Sequence, residues 1–90
     1  MAKHTNLKDV GTTVVRLDSG RDPRSGVEIQ NRREVSIYCA LGESDDLAVD
    51  GGREVTSGEV WTIAAPGNVP VYAIAESEQD TDKQVVVTEF

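Results

Sequence analysis

Apolar and polar residues alternate along several short stretches of the chain, with the two-residue period of a β-strand. In the stretch from Val35 to Leu41, for example, Ile37 and Cys39 are separated by Tyr38. The same pattern, bounded by glycine, proline and acidic turn residues, predicts strands over residues 12–17, 26–31, 35–41, 59–64, 71–76 and 84–90, with short pieces at 48–49 and 54–55. No long window shows the 3- and 4-residue spacing of a helix.

Seven or eight short strands without a helix predict an all-β fold, either a small antiparallel β-sandwich or a β-barrel. Residues 12–90 are predicted to form this single domain. Residues 1–11 have no periodicity and are predicted to form an extended N-terminal arm.

The strand pattern also predicts which side chains fill the core. The candidates are Val27, Ile29, Val35, Ile37, Cys39, Leu41, Trp61, Ile63, Ile74, Val85 and Val87. Cys39 is the only cysteine and shares the phase of Ile37, so we interpret it as a buried filling residue rather than a reactive thiol. The stretches Val85–Val87 and Val60–Trp61 are apolar on both faces, which predicts a cover on each side.

A chain of 90 residues has a thin core, and a single cysteine excludes an internal disulfide. Self-association is therefore an expected source of stability. The N-terminus has no apolar signal segment and no stretch is long enough to span a membrane, so we expect synthesis in a cytoplasm and no membrane partner.

Charge is distributed unevenly along the chain, whose net charge is −7. Residues 1–40 carry a net charge of +2, and residues 41–90 carry −9. The acidic balance disfavours nucleic acid as a partner. If the fold separated the two halves, one face would be basic and the other acidic.

Candidate chemistry is sparse. The only histidine, His4, lies in the predicted arm, far along the chain from Cys39, and neither forms a metal-ligand spacing. The acids Glu43, Asp45, Asp46 and Asp50 lie beside a Gly-Gly turn, but their spacing does not match an EF-hand. Solvated loop charges are the favoured interpretation of residues 43–50, and a loose calcium site is the alternative. Serine-hydrolase and phosphate-loop motifs are absent from the sequence, so we expect no enzyme activity, no cofactor and no metal.

Three stretches together, "VEIQNRREVSIYCALGES", "VTSGEVWTIAAPGNVPVYAIAES" and "VVVTEF", resemble a small β-domain of tailed-bacteriophage structural proteins. The resemblance covers residues 12–90 and rests on packing motifs. The matching positions are Ile29, Asn31, Val35, Ile37, Tyr38, Gly58, Trp61, Ile63, Tyr72, Ala73, Ile74, Ala75, Val85, Val87 and Glu89. The chain departs from the family pattern in its loop "SGRDPRSG" and at Cys39 and Ala40.

The resemblance implies a structural component of the virion, in the first place a capsid decoration (cement) protein on the outside of the shell. Its implied partners are the major capsid protein and copies of itself, most often as a homotrimer. The alternative is a head-fibre or tail-fibre module that recognises host glycans. Basic residues are the candidates for contact with an acidic shell: Lys3, His4, Lys8, Arg16, Arg21, Arg24, Arg32 and Arg33.

Overall fold

A computed structural model describes residues 4–20, 24–42, 51–67, 69–78 and 84–90, with the backbone alone at His4. Within these ranges the chain forms β-strands and no helix, which confirms the all-β prediction. The strands are β1 (His4–Lys8), β2 (Val15–Arg16), β3 (Val27–Gln30), β4 (Ile37–Leu41), β5 (Arg53–Val55), β6 (Val60–Ile63), β7 (Val71–Ala75) and β8 (Val85–Glu89). The predicted strand piece at residues 48–49 lies outside the described residues.

The strands form two antiparallel sheets of four. Sheet A has the order β1-β8-β3-β6, and sheet B has the order β2-β7-β4-β5. The chain changes sheet at every connection except the one between β4 and β5. Eight strands arranged in this way form a jelly roll, so the sandwich is the correct one of the two predicted architectures.

Apolar side chains from alternate positions of both sheets fill the space between them. Seven of the eleven predicted core residues are buried there: Val27, Ile29, Ile37, Cys39, Ile63, Val85 and Val87. Val35 and Trp61 are partly buried against this cluster. Val10, Leu17, Val55, Ala65, Val71, Ala73 and Ala75 complete it.

Two predicted core residues lie elsewhere. Leu41 is 38% exposed, because β5 pairs with β4 only from Ile37 to Cys39 and leaves the last residue of β4 beyond its end. Ile74 is buried, but it lies directly opposite Tyr38, on the side of sheet B that faces away from Ala73 and the core. Ile74 is therefore buried as predicted, but outside the cluster between the two sheets.

Residues 4–10, the first that the structure describes, are part of the sandwich and do not form an arm outside it. β1 pairs antiparallel with β8, from His4 opposite Glu89 to Lys8 opposite Val85. Val10 follows β1 and is fully buried in the core. The sequence pattern missed β1 because its core-facing positions opposite Val87 and Val85 hold Asn6 and Lys8 instead of apolar residues.

The pairing of β3 with β8 continues past both strands and demands a glycine. Gly26 and Phe90 exchange backbone hydrogen bonds of 2.9 and 3.1 Å. A Cβ on Gly26 would lie 2.6 Å from the carbonyl oxygen of Ile63 and 2.9 Å from the Phe90 ring. A side chain at residue 26 would therefore push β6 or the C-terminal residue out of position.

Cys39 is expected to be inert in the folded protein and important for packing. Its side chain is 1% exposed, and burial raises the pKa of its thiol to about 12. Cys39→Ser places a hydroxyl among apolar groups, so we expect it to lower the free energy of unfolding by about 1–2 kcal/mol. Urea denaturation measures this loss, with Ala40→Ser at the neighbouring half-buried position as the matched control. A native thiol that reacts as fast as a free cysteine with a thiol reagent would contradict the packing role.

Candidate interaction surface

The described strands from the two differently charged halves of the sequence are interleaved in both sheets. Sheet A combines β1 and β3 with β6 and β8, and sheet B combines β2 and β4 with β5 and β7. Each sheet therefore takes two strands from residues 1–41 and two from residues 53–89. Among the described strands the two halves are therefore not segregated, and segregation is the condition on which one basic and one acidic face depended.

Arg24 is an internal ion-pair partner rather than a surface contact. Its side chain is 1% exposed, and its Nη1 donates to Asp18 Oδ2 at 3.0 Å and to Glu89 Oε1 at 2.7 Å. Nε donates to the carbonyl of Ala65 at 2.8 Å, and Nη2 donates to the carbonyl of Val69. We call Arg24, Asp18 and Glu89 the charge clamp. The clamp ties the β2–β3 connection and the β6–β7 connection to the end of β8.

Both carboxylates of the charge clamp are saturated with donors. Asp18 also accepts hydrogen bonds from Arg16 at 2.8 and 2.9 Å, from the Val71 N–H at 2.9 Å and from the Gly20 N–H at 3.0 Å. Glu89 also accepts from the hydroxyl and the backbone N–H of Ser19. A buried charge is stable only with such partners.

These hydrogen bonds decide the protonation state of the clamp. Burial acts to raise the pKa of Asp18, but hydrogen bonds from Arg16, the Val71 N–H and Arg24 outweigh it and hold the pKa well below its ordinary value. Burial likewise acts to raise the pKa of Glu89, and hydrogen bonds from Ser19 and Arg24 lower it overall. Both groups are therefore ionised at neutral pH.

Arg33, another predicted contact residue, closes the opposite end of the sandwich. It is 4% exposed, and its Nη1 donates to the carbonyls of Val10 at 2.7 Å and Ser77 at 3.1 Å. Its Nη2 donates to the Glu78 carbonyl at 2.6 Å and to the Ser77 hydroxyl. Nε is buried and has no hydrogen-bond partner. Arg33 is thus held by neutral oxygens and fastens the segment after β1 to the segment after β7.

The Asn31 side chain forms hydrogen bonds with the backbone around Arg33. Its side chain donates to the carbonyls of Val35 at 2.9 Å and Val55 at 2.8 Å, and it accepts from the Arg33 N–H at 3.0 Å. This fully buried amide holds the tight connection between β3 and β4.

The remaining basic candidates are scattered. Arg32 is exposed, Lys8 is half-buried at the end of β1, and Arg16 is bound to Asp18 with 46% of its side chain exposed. Lys3 and Arg21 lie outside the described residues, and the side chain of His4 is not described. The structure therefore does not unite the eight candidates in one basic patch.

The aromatic residues that a glycan site would use are largely occupied. The Arg53 guanidinium lies 4.9 Å from the centre of the Trp61 ring, and Trp61 is partly buried against the core. Tyr72 is half-buried and lies opposite Arg16 and Ala40. Asn68 and the acidic loop of residues 43–50 lie outside the described residues.

The outward side of sheet A carries Leu7 and Val60, two of the three exposed large apolar side chains among the described residues. Register places Leu7, Val86, Gln30 and Val60 in one row across the four strands, and Thr5, Thr88, Glu28 and Thr62 in the next. Their neighbours Ile29 and Val87 point into the core, so these eight residues, which we call the sheet A face, point away from it. Leu7 is 54% exposed and Val60 is 49% exposed.

Sequence reasoning missed both the charge clamp and the sheet A face, although each has a signal. The period of two from Val85 through Val87 places Glu89 on the core side, and a core-facing carboxylate requires a buried cation. The same period places Val60 on the side opposite Ile63. No local sequence pattern identifies Arg24 as that cation, because Arg24 lies 65 positions from Glu89.

Among the described residues, no group of three His, Cys, Asp or Glu side chains is arranged to hold a metal ion. The same part of the chain contains no helix that is long and apolar enough to cross a membrane. Comparison with known proteins gives no match: no family model, no curated protein and no solved structure is significantly similar to the chain.

Removing the cation of the charge clamp is expected to destabilise the fold strongly. Arg24→Met leaves the Glu89 carboxylate buried without its counter-ion, so we expect a loss of about 3–5 kcal/mol in the free energy of unfolding. Urea denaturation measures it. The control is Arg53→Met, which breaks the exposed pair with Glu59 and the contact with the Trp61 ring and should cost about 1 kcal/mol. Equal losses in the two variants would show that the clamp contributes no more than a surface pair.

Acid is expected to weaken the fold through the same carboxylates. A group whose pKa is lower in the folded protein stabilises it fully above its unfolded pKa, and this stabilisation is lost as the pH falls towards the folded pKa. Asp18 and Glu89 are both of this kind, so the free energy of unfolding should decrease below about pH 4.5. Glu89→Gln should flatten this dependence, and Glu59→Gln, at the exposed pair, should keep it. An unchanged slope in Glu89→Gln would rule out Glu89 as a source.

Proposed function

We propose that the chain is a structural protein of a tailed-phage virion, a decoration protein that binds the outside of the capsid shell and stabilises it. The proposal starts from the resemblance of residues 12–90 to phage structural β-domains. The observation that carries it further is the jelly roll itself, an architecture used by viral capsid domains and also by lectins and cupins.

The interior of this jelly roll supports a role based on shape rather than on chemistry. Large apolar side chains such as Leu17, Ile29 and Ile37 are fully buried between the sheets, so the space that would hold a substrate is filled with packing residues. The buried charges of the clamp are saturated with donors inside the protein. Such an interior gives a rigid body whose surface makes the contacts.

The free edge of β1 is the proposed site of contact with the shell. Within the described part of the chain, β1 pairs with a strand on one side only, through β8. An edge strand of five residues can extend a sheet by adding a strand of a neighbouring protein. Lys8 is half-buried at the end of β1 and adds a positive charge next to that edge, which suits an acidic shell.

The glycan-binding module remains the second proposal, and the described aromatic residues give it less support. Sugar sites usually present an exposed aromatic ring beside polar groups. One face of Trp61 is covered by Arg53 here, and Tyr72 is half-buried. A glycan array with the purified protein separates the two proposals, since binding to a defined sugar would favour the receptor-binding module.

A decoration protein should be abundant and external in the particle. In virions of the phage that encodes the chain, quantitative mass spectrometry should find on the order of hundreds of copies per particle, because many weak contacts repeated over a symmetric shell hold such a layer. Particles that lack the protein should lose their DNA at a lower temperature. A handful of copies per particle, or none, would refute the decoration role.

Rebinding to stripped particles tests the proposed contact through β1. Lys8→Glu should reduce the amount of bound protein several-fold by reversing a charge beside the edge. Arg53→Glu is the matched control, since Arg53 is an exposed basic residue on β5, an edge strand of the other sheet. Equal binding of both variants would exclude the β1 edge as the contact.

A further inference from the structure

We infer that the sheet A face is a self-association surface, on which a second copy of this chain packs with its own sheet A face. The inference adds a partner surface to the proposed function, and it gives a two-fold dimer in place of the homotrimer that the resemblance implies. Its evidence is the geometry of sheet A alone. The dimer can therefore be tested independently of any role in a virion.

The first argument is the pattern of polarity on the face. The row of Leu7, Val86, Gln30 and Val60 contains three apolar residues and no charge. The row of Thr5, Thr88, Glu28 and Thr62 contains one ionisable group. Charged residues make up 28% of the chain, so a face with one charge among eight residues is depleted in them. Depletion of charge is the composition that marks the centre of a protein interface.

The second argument concerns which partner such a face fits. Each copy has a net charge of −7, so two copies repel one another over most of their surfaces. The sheet A face is where they can meet without bringing several carboxylates together. A two-fold axis in the plane of contact, perpendicular to the rows, places Glu28 of one copy against Thr88 of the other. Identical faces related in this way are self-complementary, as a symmetric dimer requires.

The third argument is the surface area that stacking two sheet A faces would bury. Four strands at ~4.8 Å spacing, with their side chains, span roughly 20 Å, and four or five residues extend roughly 15 Å along each strand. Stacking two such faces buries on the order of 1,000 Å² in total, at the lower limit for specific association. The expected dimer is therefore weak in isolation and is strengthened where copies are concentrated on a surface.

Sedimentation velocity tests the inference directly with the purified protein. From about 10 μM to about 1 mM, the mean mass should rise from that of the monomer towards twice that mass, in the range of weak specific contacts. Because the face is apolar and the copies repel one another, association should strengthen between about 0.05 M and about 0.5 M salt. A monomer at every concentration, a trimer, or weaker association at high salt would overturn the inference.

Substitutions at exposed positions identify the surface without disturbing the core. Val60→Glu adds a charge to the sheet A face and should raise the dissociation constant about tenfold or more. Leu41→Glu adds the same charge at another exposed apolar residue, which lies on sheet B, and should change the constant less than about twofold. Thermal unfolding of both variants checks that each is folded. If Leu41→Glu weakens association as much as Val60→Glu, the contact lies elsewhere. If Val60→Glu stays dimeric but no longer binds stripped particles, the face belongs to the shell contact instead.

Discussion

The buried pair of Arg24 and Glu89 determines how β8 can lie in the sandwich. Val85, Val86 and Val87 are apolar on both sides of the strand, so packing alone distinguishes poorly between the observed register and one shifted by a single residue. The shift would turn Glu89 outward, so Arg24 would keep the Asp18 carboxylate but lose its shorter ion pair, the one with Glu89. A broken buried ion pair is far more costly than a changed apolar contact. The charge clamp thus selects the register of the strand that lies between β1 and β3.

The two ends of the sandwich are closed by arginines in different ways. Arg24 is neutralised by carboxylates, whereas Arg33 is bound by backbone carbonyls and a hydroxyl, and its Nε has no partner. Each guanidinium joins segments that are distant in sequence, which is what a jelly roll with crossing connections requires at its ends. The two buried arginines and the two buried carboxylates, Asp18 and Glu89, balance one another, so these groups leave the net charge of the surface unchanged.

The sequence could predict the parts of this structure that follow from the two-residue alternation of apolar and polar residues. The seven strands after residue 12 follow from alternation and turn residues, and the burial of Cys39 follows from its phase with Ile37. β1 could not be predicted in this way, because an edge strand with polar core-facing residues has no apolar pattern. The burial of Arg24 and Arg33 depends on contacts across 65 and 23 positions, which no local pattern records. Likewise, the separation of charge along the chain does not indicate which strands share a sheet, because each sheet combines described strands from both halves.

β1 connects the two surfaces proposed for the protein. Its inward residues are polar, so it is held by its ladder with β8 and by the buried Val10 that follows it rather than by apolar packing of its own. Its outward Leu7 lies beside Val86 on the sheet A face, and its far edge is the one proposed to meet the shell. A second copy stacked on Leu7 would restrict the motion of β1 and so lower the entropic cost of adding a strand at its edge. Self-association and attachment would then favour one another, although each contact alone is small.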